Sequence, residues 1–333
     1  MKYIIITDTH FGAKNNSQFW CAKQMDFMYK TLIPYIDNLD EQWTLVHLGD
    51  VFDSRSVINS KIVDEVDKMF KAINEVCGKH NTEMIVIGGN HDYFSPENDS
   101  VSFLNIILRG YDNITLLTDT SLVVENGNKI DLFMPWYEFN NIDTLKSKIE
   151  KASSIGKIGS IFTHTDINFD EEFSSVLDGI NVYAGHIHQP VNKKTWHNLG
   201  STFAKDMSDA NRQPGAYIID ENTFEMLYNN ESVRFWKYNS IPDEAEQLKW
   251  NEHDIITFAI DRYTYEYKHE EIKQIKSKFA LSVTVLPDDI VINNDIINSI
   301  DIEAICKSSI PDQYKNLFEE ITTYMKATNE IDD

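Results

Sequence analysis

The chain has 333 residues, 42% of them apolar and 25% charged, with a formal net charge of −23. That length suits one large domain with a smaller one, and the acidic surplus excludes a protein that holds nucleic acid by the bulk positive charge of its own surface. No apolar run approaches the ~18–20 residues of a membrane-spanning helix, and Cys21, Cys77 and Cys306 form no C-x-x-C pair, which argues against a disulfide framework and suits a reducing cytoplasm.

At the start, Met1-Lys2 runs into Tyr3-Ile4-Ile5-Ile6 and then the polar Asp8 and His10, which reads as a short strand rather than a secretory core. Periodicity and turn signals then predict, in chain order, strand Tyr3–Thr7, helix Gln18–Ile36, strand Thr44–Leu48, helix Ser60–Cys77, strand Met84–Ile87 and helix Ser100–Leu108. Strands Leu122–Val124 and Ile130–Met134, helix Asp143–Lys151, and strands Ile158–Thr163, Val182–Ala184, Ala216–Asp220, Phe224–Tyr228 and Val233–Tyr238 follow. Alternation early and strands later imply an α/β fold for 1–240, a four-layered sandwich of two inner β-sheets flanked by helices. Residues 241–253 are polar and turn-prone and read as a linker. Residues 254–290 read as a small α+β capping domain, with strand Asp254–Ile260, helix Glu270–Phe279 and strand Leu281–Leu286. Residues 291–333 read as a helical tail, with helices near Asp295–Lys307 and Asp312–Lys326. In the last helix, Tyr314, Leu317, Phe318, Ile321, Tyr324 and Met325 form an apolar stripe suited to docking a partner.

Five short motifs each follow an apolar run: Asp8-x-His10, Gly49-Asp50, Gly89-Asn90-His91-Asp92, His164, and Gly185-His186-x-His188. Loops at the ends of neighbouring strands converge in α/β folds. The residue types are oxygen and nitrogen ligands without thiolate, suited to manganese, iron, zinc or magnesium at paired positions. Two metals ~3.5–4 Å apart suit phosphodiester hydrolysis, because they acidify a water and clamp the phosphate. Asp50 is the expected bridge, since a carboxylate has two oxygens and a charge to offset cation repulsion. Asp8, His10 and His188 complete one metal, and Asn90, His164 and His186 the other. Gly49, Gly89 and Gly185 allow tight turns or positive φ beside them. Arg55 is a candidate phosphate contact, because its fork suits phosphate, and His197 a candidate site-lining residue. His47 and Trp136 read as structural, and His80, His253, His269, Asp206 and Asp209 as solvated.

In these motifs and their order the chain resembles the calcineurin-like metallophosphoesterases. Within them it resembles the SbcD-type nuclease subunits, relatives of the eukaryotic meiotic-recombination-eleven nuclease, and most closely the recombination endonuclease subunits of T-even-like phages. That finer likeness rests on Gly49-Asp50-Val51-Phe52-Asp53-x-Arg55, on Ile130-Asp131-Leu132 leading to Pro135-Trp136, and on Asn198-x-Gly200-Ser201-Thr202. The resemblance implies two divalent ions, manganese or alternatively magnesium, with exonuclease action on duplex ends and endonuclease action on single strands or hairpins. It implies DNA recognition by the small domain, an SbcC-type ATPase partner held by the C-terminal helices, and a homodimer. It implies that His91 is no ligand but contacts the scissile phosphate and protonates the leaving oxygen, as a general acid does. Some relatives carry a second histidine three residues after the bridging aspartate; here Asp53 stands there, so that histidine's role does not transfer. The rival readings are a phosphatase on the same fold and a DNA-end-binding scaffold with a vestigial metal site.

Overall fold

The protein is described from a computed structural model that covers residues 1–95, 98–166, 171–221 and 223–286. The described residues divide into two units, Met1–Ile260 with Lys268–Thr284, and Asp261–Tyr267 with Val285 and Leu286. The tail helices expected near Asp295–Lys307 and Asp312–Lys326, with the stripe from Tyr314 to Met325, lie outside the described residues. Among the described residues no helix is long and apolar enough to cross a membrane.

The first unit is built on two six-stranded sheets. One runs, edge to edge, through Phe224–Tyr228, Gly215–Ile219, Lys2–Ile6, Trp43–His47, Met84–Ile87 and Ile114–Leu117. Its four strands from Lys2–Ile6 outward to Ile114–Leu117 are parallel, and Gly215–Ile219 joins antiparallel. The other runs through Val191–Lys193, Trp196–Asn198, Asn181–Gly185, Lys157–His164, Lys129–Met134 and Leu122–Asn126. Its central strands are again parallel. Both faces of the central strands are covered, so they read as nearly continuous apolar runs rather than alternating ones.

The period of two sorts these runs into layers. Tyr3 and Ile5 join Val46, Ile85, Ile87, Phe133 and Phe162 in the core between the sheets. Ile4 and Ile6 face the other way, with Leu45 and Val86, into a core shared with Phe27, Val66, Phe70 and Ile73. Behind the second sheet, Leu132, Met134, Ile161 and Val182 pack with Leu145, Ala152 and Trp196. The order helix, sheet, sheet, helix is the expected α/β sandwich. At its centre the fully buried Phe133 stacks on Phe162, with centroids 4.7 Å apart and planes within 10°. Phe133→Ala is expected to cost about 3–5 kcal/mol, the range for truncating a buried phenylalanine, read as a lower urea midpoint at unchanged slope.

Several elements differ from the sequence-based expectation. The helix predicted over Gln18–Ile36 is α-helical to Phe27, π-helical over Met28–Leu32, and α-helical again over Ile33–Asp37. Pro34 has no N–H to continue the ladder, and the Ile33 N–H reaches back to Met28 O, the widened turn such an interruption produces. The predicted Ser100–Leu108 helix is cut to Leu104–Ile107, because Asn98–Ser102 pairs as a strand with Tyr93–Ser95. Strands Tyr93–Ser95, Asn98–Ser102, Ile114–Leu117, Val191–Lys193 and Trp196–Asn198 have no counterpart in the sequence-based expectation. Ser60–His80 forms as a long amphipathic helix, capped by Asn59 and closed by Asn81 in the left-handed conformation at φ 50°.

Residues 241–253 hold a short helix, Glu244–Gln247, capped by Asp243, and the buried Trp250. A three-stranded sheet of Phe235–Tyr238, Ile255–Asp261 and Ala280–Leu286 follows, with helix His269–Lys276. In the second unit, the Asp261 carboxylate accepts the Thr264 N–H at the start of helix Arg262–Tyr267.

Candidate metal centre

The motif residues stand at the C-terminal ends of parallel strands from both sheets, where ligand sites form in such folds. Asp8 and His10 follow Lys2–Ile6, Asp50 follows Trp43–His47, Asn90 and His91 follow Met84–Ile87, His164 ends Lys157–His164, and His186 and His188 follow Asn181–Gly185. The structure brings them together, in three groups: Asp8, His10 and His188; Asp50, His164 and His186; and His10, Asp50 and His91. Asn90 joins them through His164 and His186.

Asp50 links the first two groups. Its Oδ1 lies 3.4 Å from Nε2 of His164, and its Oδ2 lies 3.8 Å from Nε2 of His10. Asp8 Oδ1 lies 3.9 Å from Nε2 of both His10 and His188, whose Nε2 atoms are 3.1 Å apart. On the other side, Asn90 Oδ1 lies 3.1 Å from Nε2 of His164 and 2.9 Å from Nδ1 of His186. His164 Nδ1–H donates to Leu48 O at 2.6 Å, so a neutral ring turns the lone pair of Nε2 toward the oxygens of Asn90 and Asp50. Acceptors that face one another across ~3 Å need a proton or a cation between them. The donor set, imidazole and oxygen without sulfur, therefore fits divalent cations on both sides of Asp50.

The electrostatics draw positive charge into the same gap, as a proton on His164 where no cation takes its place. Burial opposes the charged form of His164, yet the Asp50 charge and hydrogen bond outweigh it and hold the ring up to about 9. Burial likewise opposes the Asp50 carboxylate, but His164 and His10 hold it well below the usual range. Burial lowers His10 and His186. At His188 burial is outweighed by the bond to Asp209, which raises it.

The backbone is forced here. Asp8, His10, Asp50 and His186 all have positive φ, at 50°, 45°, 55° and 88°, a cluster of strained conformations of the kind that functional sites store. Gly49 shares it at φ 95°. Gly89 and Gly185 do not, and are required for another reason: a Cβ at Gly89 would lie 2.3 Å from Asp50 N, and one at Gly185 2.2 Å from Thr7 Oγ1.

Three residues have larger parts than the sequence suggested. Asp92 is buried and accepts N–H bonds from Asp50, Val51 and Gly89 at 2.8–3.0 Å, so it ties two ligand loops together. Burial and the Asp50 charge push its carboxyl up to about 7 against those donors. Asp209 was expected to be solvated; it is fully buried, with a carboxylate oxygen 3.4 Å from Nδ1 of His188. A carboxylate behind a ligating imidazole fixes its tautomer and raises its basicity. Asp209→Ala is expected to weaken divalent-cation binding roughly 10–100-fold, measured by calorimetric titration of manganese. Trp136 was read as core packing; instead it is half-buried beside the rings of His164 and His186, at 5.7 and 5.1 Å between centroids. Asp206 caps the turn at Met207–Asp209. His47 is structural as expected, bonded between Thr9 Oγ1 and the Gly49 N–H.

His91 donates Nδ1–H to Asp53 O at 2.7 Å and its main-chain N–H to Asp50 Oδ1 at 2.8 Å. Its Nε2 is thereby the ring nitrogen left for other work. Arg55 is half-buried and has no ion-pair partner among the described residues. His197 is not brought to the centre. It pairs in register with Tyr183 and so faces the same way, stacked on Tyr183 and beside Phe224, with Nδ1 2.9 Å from Asn192 Oδ1.

A carboxylate between two nitrogen–oxygen donor groups, at the ends of parallel strands, is an arrangement suited to a two-metal hydrolase. Residues 1–258 match the calcineurin-like phosphoesterase family, and the chain belongs to it. The fold of that family binds two divalent metals. No curated protein matches the chain. Similar solved structures include a 5'-nucleotidase precursor from Thermus thermophilus, 11% identical over 70% of this chain and 55% of that one, with a TM-score of 0.34. Another is a glutamine-dependent NAD+ synthetase from Acinetobacter baumannii in complex with ADP, 11% identical over 99% and 72% of the two chains, with a TM-score of 0.32. The chain thus spans only about half the length of the nucleotidase precursor.

Proposed function

We propose that the chain is a DNA nuclease, the SbcD-type subunit of a recombination and repair complex of the kind found in T-even-like phages. Asp50, with one oxygen toward each ligand set, is the observation that carries the hydrolytic reading. The run Gly49-Asp50-Val51-Phe52-Asp53-x-Arg55 and an Arg55 without an ion-pair partner among the described residues support a phosphodiester substrate. The ligands are Asp8, His10, His188 and Asp50 for one cation, and Asn90, His164, His186 and Asp50 for the other, with manganese as the native metal. When bound, the cations supply an acidified water and positive charge against the phosphoryl oxygens. The residues of the chain do the rest. His91, its Nδ1–H engaged by Asp53 O, presents Nε2 to protonate the leaving oxygen. Trp136 keeps one side of the ligand set dry, and Arg55 receives the phosphate.

The acidic chain is proposed to work as a homodimer with an SbcC-type ATPase, held by residues 291–333, which provides the positive surface for DNA. The test is cleavage of end-labelled duplex and single-stranded DNA with manganese or magnesium, beside a phosphomonoester, with and without the ATPase. The expected result is cleavage of DNA and not of the monoester, weak DNA binding by the chain alone, and tighter, more salt-dependent binding with the partner. Turnover of the monoester alone would make the protein a phosphatase. No turnover of either with both cations bound would make it a scaffold.

A further inference from the structure

Asp53 serves two histidines of the centre. Its carbonyl accepts His91 Nδ1–H, and its Oδ1 lies 3.5 Å from Nδ1 of His10. That nitrogen and Asp53 Oδ1 are both buried without a hydrogen-bond partner among the described residues, so the Asp53 carboxylate stands behind His10 as a nearby charge. The position is electrostatically awkward. Asp8 and Asp50 are already present, and an arriving phosphoester adds more negative charge.

Lys205 stands against that charge. Its Nζ lies 2.7 Å from Asp53 Oδ1, with the two side chains 26% and 24% exposed. Its main-chain N–H donates to Asp209 Oδ2 at 2.6 Å, and Asp209 backs His188. One residue therefore reaches the carboxylates behind both imidazoles of the Asp8 group, by its side chain for one and its backbone for the other. An exposed ion pair is worth little. This one is three-quarters enclosed, and its acid has two other duties.

We propose that Lys205 is a positioning residue for phosphoester hydrolysis: its ammonium fixes and neutralises Asp53, so that Asp53 orients His10 and His91 without repelling the substrate phosphate. The proposal rests on the hydrolytic reading above. Lys205→Met on the full chain removes the ammonium and leaves the main-chain bond to Asp209. The expected loss in kcat/KM on a phosphodiester is roughly 10–100-fold, the range for an outer partner of a metal ligand, with a raised KM. Manganese affinity, read by calorimetry or electron paramagnetic resonance, is expected to hold or tighten, because the site has become more negative. Lys205→Arg keeps the charge and should restore activity. Adding Asp53→Asn to Lys205→Met removes the uncompensated carboxylate and should recover most of the loss, a coupling that a merely structural lysine would not show.

Weaker manganese binding in Lys205→Met overturns the proposal, since it makes the lysine a prop for the ligand loop. A double variant no better than Lys205→Met also overturns it. If the parent chain cleaves no phosphoester, the hydrolytic reading fails by itself. The manganese arm then still judges whether the charge of Lys205 is felt at the centre: equal or tighter binding in Lys205→Met upholds that part, and weaker binding overturns it.

Discussion

Asp50→Asn is expected to abolish phosphoester hydrolysis and to lower the bound divalent metal from two ions per chain to one or fewer. The amide keeps the size of the carboxylate, so the loops need not move. It removes the charge and one of the two oxygens that now face His164 Nε2 and His10 Nε2 at 3.4 and 3.8 Å. Two cations brought together without a bridging charge repel each other. Their electrophilic help is worth several kcal/mol in the transition state, which at about 1.4 kcal/mol per decade is on the order of a thousandfold or more. Metal analysis after gel filtration, beside an assay on a phosphodiester, checks both halves. A variant that keeps two ions and the parent rate would remove Asp50 from the centre of the chemistry.

His91→Ala is expected to behave differently. The His91 ring is committed on one side to Asp53 O, and the ligand sets on either side of Asp50 are complete without it. Its removal should leave two ions per chain and cut turnover by roughly 10²–10⁴-fold, the usual contribution of a general acid. The loss should be least on substrates whose leaving group needs no proton, such as a nitrophenyl diester. A loss equal on good and poor leaving groups, or a lost ion, would place His91 among the ligands instead.

The residues that converge around Asp50 were legible because each motif directly follows an apolar strand. A residue at such a strand end can be placed from sequence without knowing the rest of the fold. What supports them was not legible. Asp92 lies within a recognised motif, but its task is to collect N–H groups from a loop some forty residues earlier, and composition carries no trace of that. Asp209 looked like loop carboxylate because its neighbours are polar, and only the closure of 205–209 against His188 buries it. Trp136 is apolar enough for a core and differs from one only by what it faces. His197 shows the period of two at work. One residue before Asn198 in the chain, it lies on the opposite face of its strand and joins the aromatic layer around Tyr183. The five missed strands are short, and Val191–Lys193 has little apolar content to signal it.

The residues of the candidate centre are spread through the chain from Asp8 to His188, and close partners such as His10 and His188 stand 178 positions apart. No local segment can assemble either half of the centre. During folding the loop-closure entropy must be met in full by sheet pairing and by the core around Phe133 and Phe162, before any cation has a complete cage to enter. A cation therefore cannot nucleate this protein as zinc nucleates a finger. It arrives last, recognises only the finished sandwich, and shifts the unfolding equilibrium by mass action alone.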